Sequence, residues 1–239
     1  MVALYSSGDS TTWGAELDNK EVERYSSLIA KENSWIDFNN ASAGMSNDYM
    51  FRQTLRDVTH WLDTKEVWSE ETGWVKVDNL YVIIGWTAPT RFEWWEDGKF
   101  VQERLWAPYD KWGETDSDKM TDAMFALNQT QDIPSYIRTF NNVITLHSFL
   151  EQHKIPHFFF NTFYHYEIPE EPTQKIDMFG KEEHQTGLKT LWKFLPSDFK
   201  TYNMYDFLKT NKGDLLTRRH PSARSHKIWA DYIIQNDLI

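Results

Sequence analysis

The sequence predicts an α/β protein in which a parallel sheet is flanked by helices. Strand and helix signals alternate along the chain, and this alternation is typical of a parallel sheet with helical crossovers. Residues 80–85 are apolar on both faces, as a central parallel strand is, and residues 155–161, with Phe158, Phe159 and Phe160, are the next buried strand. The 239 residues suffice for one domain with a three-layer core. We therefore expect a single domain over residues 1–239.

The elements follow one another in a regular order. The chain opens with an apolar strand at 2–7, and a helical repeat of apolar residues begins after Glu21. The later elements are, in order, a short strand at 35–41, a helix capped by Ser46 or Asn47, the strand at 80–85, a helix from Pro134, the strand at 155–161, a strand around 199–204 and a helix at 221–234. The alternation lapses between Gly85 and Pro134, where we expect an aromatic-rich insertion at about 86–133.

Composition excludes several classes of partner. The formal net charge is −11, whereas phosphate binding relies on clustered Lys and Arg, so we expect no nucleic acid partner. The chain has no cysteine, which rules out disulfides and thiolate metal sites. Neither a basic n-region nor an apolar h-region precedes the first strand, and no apolar run approaches membrane-spanning length. We therefore expect a soluble chain with no signal peptide and no membrane contact.

The most informative motif is Gly8-Asp9-Ser10, where the first strand runs into a tight turn. Glycine permits the sharp turn, and the serine hydroxyl is then exposed at the carboxyl end of the sheet, where open α/β proteins place their ligands. The backbone N–H of the same serine points into an oxyanion site. The motif by itself is also compatible with an ordinary turn.

Two further loops follow predicted strands. Gly44 lies after the strand at 35–41, where a glycine N–H can be offered to an oxyanion; a turn glycine before a capped helix explains it equally well. The second loop contains Thr87 and Arg91. Thr87 has a hydroxyl to donate and Arg91 has a charge suited to an anionic or hydroxylated substrate, although both also fit an ordinary polar loop.

Two histidines lie near the end of the chain. His220 precedes a helix that starts at Pro221, so it is expected in a loop at the carboxyl edge, within reach of Ser10 as a general base. His226 falls on an apolar helical face with Trp229 and is expected to be structural.

A metal site is not expected from the sequence. His153 and His157 are four residues apart, but Pro156 between them prevents a regular helical pair, and His147 lies on an apolar stripe. Glycine-rich phosphate-binding patterns are absent as well, which disfavours a nucleotide-binding enzyme.

These motifs resemble the blocks of the SGNH/GDSL hydrolases, particularly small phage-encoded or environmental members. Gly8-Asp9-Ser10, Gly44, Gly85-x-Thr87 and His220-Pro221 follow the family order across nearly the whole chain. The resemblance implies a three-layer α/β/α sandwich with a mainly parallel, flavodoxin-like sheet. It also implies a serine esterase that works through an acyl-enzyme without a cofactor. Ser10 would be the nucleophile, His220 its base, and the N–H groups of Ser10 and Gly44, with Thr87, the oxyanion hole.

The chain departs from the family pattern at two positions. Thr87 stands where the family has an asparagine, and Thr217 stands where it has the aspartate three residues before the histidine. That aspartate orients the imidazole and stabilises its protonated form. Asp214 lies on the same approach and is the candidate replacement; the alternatives are a Ser-His dyad held by a backbone carbonyl, and a protein that only binds.

The aromatic insertion suggests the substrate. Trp86 and Trp94 with Arg91 suit stacking against a sugar better than binding a long lipid, so we expect a small-molecule or carbohydrate ester, with deacetylation of a carbohydrate as the reaction. A hydrophobic mini-core is the competing explanation for these aromatics. The alternative function is a non-catalytic carbohydrate-binding or virion-associated protein on the same fold. Phage origin would place the chain in the host cytoplasm or the virion.

Overall fold

A parallel sheet of four strands forms the centre of the molecule. The computed structural model describes residues 1–69, 73–89, 91–96, 99–104, 132–164, 166 and 181–239. The strands are β1 (Val2–Gly8), β2 (Ile36–Asn39), β3 (Glu66–Ser69), β4 (Gly73–Lys76), β5 (Asn79–Trp86), β6 (Arg91–Glu96), β7 (Lys99–Arg104) and β8 (His157–Asn161). The central sheet has the order β2-β1-β5-β8, and all three of its pairings are parallel.

Helices supply the connections between the parallel strands. They are α1 (Ser10–Trp13), α2 (Lys20–Glu23), α3 (Tyr25–Glu32), α4 (Asn47–Thr64), α5 (Asp132–Gln152), α6 (Lys181–Phe194), α7 (Ser197–Thr201), α8 (Met204–Thr210) and α9 (Ala223–Gln235). Ser46 caps α4 by accepting a hydrogen bond from the N–H of Tyr49, as its sequence position predicts. Among the described residues, no helix combines the length and the apolar character needed to cross a membrane.

The two faces of the sheet bury separate apolar clusters. Side chains of successive strand residues point to opposite faces, so Tyr5 and Leu4 of β1 belong to different clusters. Tyr5 packs on the side of α4 and α5, which contribute residues such as Val58 and Phe140. Leu4 packs on the side of α3 and α9, with Trp229 at its centre. The sequence-based prediction of an α/β fold with a parallel, helix-flanked sheet is therefore confirmed.

In the described part of the chain, two antiparallel hairpins lie outside the central sheet. One pairs β3 with β4, and the other pairs β6 with β7. The second hairpin falls within the predicted aromatic insertion at 86–133, whose remaining part at 105–131 lies outside the described residues.

One predicted element is wrong. The strand expected around 199–204 is instead α7 followed by α8, and only Asn203 makes a parallel bridge, to Asn161. Pro196 and Asn203 each precede a helix in extended conformation, and the side chain of Asn203 caps α8 by accepting from the N–H of Asp206. These two helix starts interrupt the segment that was expected to form a strand.

Candidate active site

Ser10 lies at the carboxyl end of β1, at the first position of α1. Asp9 caps that helix: its Oδ1 accepts a hydrogen bond of 2.9 Å from the N–H of Thr11. Gly8 is required because Thr12 packs directly on it, and a Cβ at Gly8 would lie 2.1 Å from Thr12 Oγ1. The tight strand-to-helix turn expected from the sequence is therefore present, and Ser10 is half-buried at its outer edge.

His220 reaches Ser10 from the loop before α9. Its Nε2 lies 3.0 Å from Ser10 Oγ, a normal hydrogen-bond distance. The loop is held by an antiparallel bridge between Leu215 and Pro221 and by a hydrogen bond from the Tyr205 hydroxyl to the carbonyl of Arg219. The structure thus brings together the serine and the histidine that the sequence singled out, although they are 210 residues apart.

The carboxylate beside His220 belongs to Glu16, which sequence reasoning missed. Glu16 Oε2 lies 2.8 Å from His220 Nδ1, and both Glu16 oxygens accept from the backbone N–H of Arg218, at 3.1 and 3.2 Å. Burial alone would raise the pKa of Glu16, but the hydrogen bonds from His220 and Arg218 outweigh it and hold the pKa below its usual value. The carboxylate is therefore ionised at neutral pH and acts as an acceptor for the Nδ1–H of His220.

The position of Glu16 follows from the early end of α1. Gly14 adopts a left-handed conformation (φ 82°) and terminates the helix after one turn, so the chain turns back toward the serine. Glu16 itself is left-handed, with φ 68°. A glycine four residues after the candidate nucleophile was the available signal, because it limits the helix to a single turn.

Asp214 does not occupy the role that the sequence suggested for it. Its carboxylate lies 3.6 Å from Arg224 Nη1, and its carbonyl accepts from the hydroxyl of Ser225. The backbone N–H of Asp214 is donated to the same hydroxyl, at 2.7 Å. These contacts fix Asp214 at the base of the loop, against the start of α9, where it braces the segment rather than the imidazole.

Two backbone amides remain candidates for an oxyanion hole. Within the described chain, the N–H groups of Ser10 and Gly44 donate no hydrogen bond to another protein group. The loop carrying Gly44 lies against the serine turn, since the N–H of Ser42 donates to the carbonyl of Gly8 at 3.3 Å. Gly44 has φ 82°, a conformation that favours glycine.

Thr87 does not offer its hydroxyl to that hole, contrary to the sequence-based expectation. The hydroxyl donates to Asp9 Oδ2 at 3.0 Å, and the residue is fully buried. Its backbone N–H donates to Asn47 Oδ1 at 2.9 Å, and its carbonyl accepts from Asn47 Nδ2 and from the Tyr166 hydroxyl. All polar groups of Thr87 are thus engaged inside the protein, where they connect β5 to α4 and to the serine turn.

Two of the three residues expected to bind substrate, Arg91 and Trp86, are buried instead of facing a substrate site. Arg91 is 3% exposed and lies with Nη1 3.0 Å from Asp9 Oδ2, so it neutralises a buried carboxylate instead of facing solvent. Trp86 is fully buried in the core, edge-on to Phe159 and Phe199. The side chain of Trp94 lies outside the described residues.

Other aromatic side chains lie beside the site. The guanidinium of Arg91 lies 5.0 Å from the ring centre of Phe163, and Phe163 contacts Tyr205 edge-on at 6.0 Å. Both rings are half-buried. Burial, together with the charges of Asp9 and Glu16, raises the pKa of Tyr205 to about 12, so its hydroxyl keeps its proton and donates to the histidine loop.

His226 lies in the core behind the site, as the sequence predicts. Its ring is buried and stacked on Tyr25, and Nδ1 accepts a hydrogen bond of 3.2 Å from the N–H of that residue. Burial lowers the pKa of His226 to about 3. The neutral ring fills space beneath α3 and takes no part in the chain of contacts at Ser10.

Comparison with known proteins gives a family but no activity. A family model described as a family of unknown function (DUF6071) matches residues 13–238, beginning three residues after Ser10. None of the curated proteins matches the chain.

Similar solved structures include a lipolytic G-D-S-L family member from Veillonella parvula (12% identity, 98% of this chain and 97% of that chain, TM-score 0.43). The psychrotrophic esterase EstA from Pseudoalteromonas sp. is 9% identical, with 98% and 94% of the chains covered and a TM-score of 0.45. A GDSL-like lipase from Bacteroides thetaiotaomicron is 12% identical, with 99% and 87% covered and a TM-score of 0.43. At these low scores the likenesses carry no weight for activity, which has to be inferred from the chain's own residues.

Proposed function

The chain belongs to the family of unknown function DUF6071, and we propose that it is a serine ester hydrolase with the triad Ser10, His220 and Glu16. The observation that supports this is the unbroken chain of contacts from Ser10 Oγ to His220 Nε2 (3.0 Å) and from His220 Nδ1 to Glu16 Oε2 (2.8 Å). Nucleophile, base and orienting acid in that order are the parts that acyl transfer needs.

The reaction follows from the protonation states that these contacts impose. A carboxylate only accepts, so Nδ1 of His220 carries the proton and Nε2 presents a lone pair to Ser10. Ser10 Oγ attacks the ester carbonyl while its proton passes to Nε2, and the departing alcohol takes that proton. Water then repeats the sequence with the same base, which releases the acid and restores Ser10.

The negative charge on the carbonyl oxygen needs donors at the moment of attack. The N–H groups of Ser10 and Gly44 are the candidates because neither has another acceptor in the described chain. Backbone amides aimed at a developing oxyanion lower the barrier by several kcal/mol in related chemistry, about 3–4 for a single donor. Thr87 would contribute indirectly, by fixing Asp9 and hence the turn that carries Ser10.

We also propose that the ester is a small acyl group, acetyl, on a carbohydrate. The support is the pair of half-buried rings of Phe163 and Tyr205 beside the site, since aromatic faces stack on sugars. Initial rates on acetylated oligosaccharides should exceed those on esters of long fatty acids. A preference for long acyl chains would contradict the substrate while leaving the triad intact.

The catalytic proposal is tested by labelling with a fluorophosphonate, which reacts with activated serines. The wild-type chain should be labelled at one site and should hydrolyse p-nitrophenyl acetate, and Ser10→Ala should do neither. Ser148→Ala, which removes an exposed serine of α5, is the matched control and should behave as wild type. Equal labelling of the wild type and Ser10→Ala would refute Ser10 as the nucleophile, whereas a wild-type chain that is neither labelled nor active would favour the alternative of a protein that binds without catalysis.

A further inference from the structure

Three metal-ligating side chains converge at the edge of the sheet opposite to Ser10. His147 and Glu151 are four residues apart on α5 and therefore share one face of that helix. His157 is the first residue of β8, whereas Ser10 lies two residues after the end of the parallel strand β1. The starts and the ends of parallel strands lie at opposite edges of a sheet, so this cluster is separate from the proposed active site.

The donor atoms of the cluster lie close together. His147 Nδ1 is 2.7 Å from His157 Nε2, and Glu151 Oε1 is 4.0 Å from the same nitrogen. One atom from each of the three residues can be chosen so that all lie within 4.8 Å of one another. The sequence predicts no pair of His153 and His157, because of Pro156, and no metal site, whereas the fold places His157 beside His147.

The orientation of His157 directs its Nε2 into the cluster. Its Nδ1 lies 2.9 Å from the carbonyl of Ile155, which can only accept, so Nδ1 carries the proton. Nε2 therefore accepts a hydrogen bond from the Nδ1–H of His147 at 2.7 Å, and a bound ion would take the place of that proton between the two nitrogens. A backbone carbonyl on the remote ring nitrogen is the usual way in which proteins fix a metal-binding histidine.

A further carboxylate, that of Asp198, lies beside the cluster and adds negative potential to it. Its two oxygens accept hydrogen bonds from the backbone N–H groups of Phe159 in β8 and Phe199 in α7.

We propose that His147, Glu151 and His157 form a binding site for a divalent transition metal ion, and that Zn²⁺ is the ion the donor set suits best. Two imidazoles and one carboxylate are a known three-ligand set for zinc, with a fourth position left to water. Tetrahedral bonds of about 2.0–2.1 Å place ligand atoms about 3.3 Å apart. The imidazoles must therefore separate by about 0.6 Å, and Glu151, whose side chain is 65% exposed, must move inward.

An ion can reach the cluster from solvent. His147, Glu151 and His157 line an open depression of about 480 Å³, together with residues of α7 and the last three residues of the chain. A bound ion would connect α5 to β8 and stabilise the folded state by mass action. The proposed metal site is separate from Ser10, so metal binding should not affect ester hydrolysis. Zn²⁺ binding and ester hydrolysis can therefore be tested independently, and either proposal can fail without the other.

The test is Zn²⁺ binding by the metal-free full chain, followed by competition with a chromogenic chelator. We expect one Zn²⁺ per chain and an increase in Tm of about 5–10 °C at a hundredfold excess over Kd. Glu151→Gln and His147→Gln should each lower the affinity at least about 100-fold, since even changes to groups behind the ligands cost 10–100-fold. Hydrolysis of p-nitrophenyl acetate should not change in either variant.

His153→Gln is the matched control, because it removes an exposed histidine just beyond the end of α5. It should bind Zn²⁺ as the wild type does. Zinc that binds equally to wild type, Glu151→Gln and His147→Gln would be an adventitious ion only and would overturn the site. Absence of binding, with an N–H···N hydrogen bond between His147 and His157 in nitrogen NMR, would overturn it in favour of a simple histidine pair.

Discussion

Replacing Glu16 by glutamine removes the charge next to His220 while keeping the length of the side chain. The amide oxygen can still accept from Nδ1 of His220 or from the N–H of Arg218, but the imidazolium formed during attack loses its counter-charge. In serine hydrolases the equivalent change at the triad acid lowers kcat about 10⁴-fold. Glu16→Gln should therefore slow acylation, with little change in KM.

The expected loss is smaller here because water reaches the pair. The side chains of Glu16 and His220 are each 21% exposed, and solvent screens part of the interaction. We expect kcat for p-nitrophenyl acetate to fall about 10²–10³-fold, with a parallel fall in the rate of fluorophosphonate labelling. Single-turnover kinetics separate this loss in the chemical step from any change in substrate binding.

Asp214→Asn is the control for this substitution. It also converts a carboxylate to an amide near His220 in the chain, but Asp214 faces Arg224 and is half exposed. Its rate should stay within about a factor of two of wild type, as expected for an exposed ion pair of little energetic weight. If kcat falls strongly in Asp214→Asn and does not change in Glu16→Gln, the assignment of Glu16 as the acid is refuted. Asp214, which the sequence suggested, would then be the acid.

Two further predictions concern stability. The pKa of His226 is about 3 in the folded state against an ordinary value of 6.5, so between these pH values only the unfolded chain takes up the proton, and the free energy of unfolding decreases as the pH falls below 6.5. Urea denaturation at pH 5 should show a loss of about 2 kcal/mol relative to neutral pH, and His226→Gln should abolish this loss. Equal losses in the wild type and in His226→Gln would contradict the prediction. Gly8→Ala places a Cβ against Thr12 and should lower the free energy of unfolding by about 1–3 kcal/mol. In the control Gly187→Ala nothing lies within 4 Å of the added Cβ, so this change inside a helix should raise the free energy of unfolding slightly. An unchanged urea midpoint for Gly8→Ala would mean that Thr12 moves aside freely.

The fold and half of the contacts at the candidate site could be predicted from local pattern. Apolar runs predict the strands that are buried on both faces. Gly8 predicts the tight turn, and the structure gives the reason: Thr12 approaches so closely that only glycine fits at this position. The contact of Ser10 with His220 was predictable because both residues end at the carboxyl edge of a parallel sheet. In each case the determining interaction is either local or fixed by topology.

The acid of the proposed triad could not be found this way, because its position depends on how two loops meet. Asp214 is close to His220 in sequence, yet the bridge between Leu215 and Pro221 holds it at the base of the loop. Glu16 is 204 residues from His220 in sequence but contacts it once α1 ends at Gly14. Spacing along the chain carries no information on such a contact.

The role of Thr87 was missed for a related reason. A hydroxyl at the end of a central strand suggests a donor to substrate, but a buried polar group must satisfy its hydrogen bonds inside the protein. Asp9, Asn47 and Tyr166 supply all of its partners, and Arg91 balances the charge of Asp9. Arg91 is buried for the same reason, because it pairs with Asp9. Thr87 and Arg91, which were both expected to contact substrate, therefore stabilise the turn that carries Ser10 instead.

Moving the acid to the serine's own loop changes what holds the site together. In the proposed triad Glu16 both orients the imidazole and accepts the backbone N–H of Arg218, so one carboxylate aligns the ring and anchors its loop. The Tyr205 hydroxyl adds a second anchor at the carbonyl of Arg219. Loss of Tyr205's bond leaves the charge in place, whereas loss of Glu16 removes charge and anchor together. The alignment of His220 with Ser10 therefore depends more on Glu16 than on any contact within the histidine loop itself.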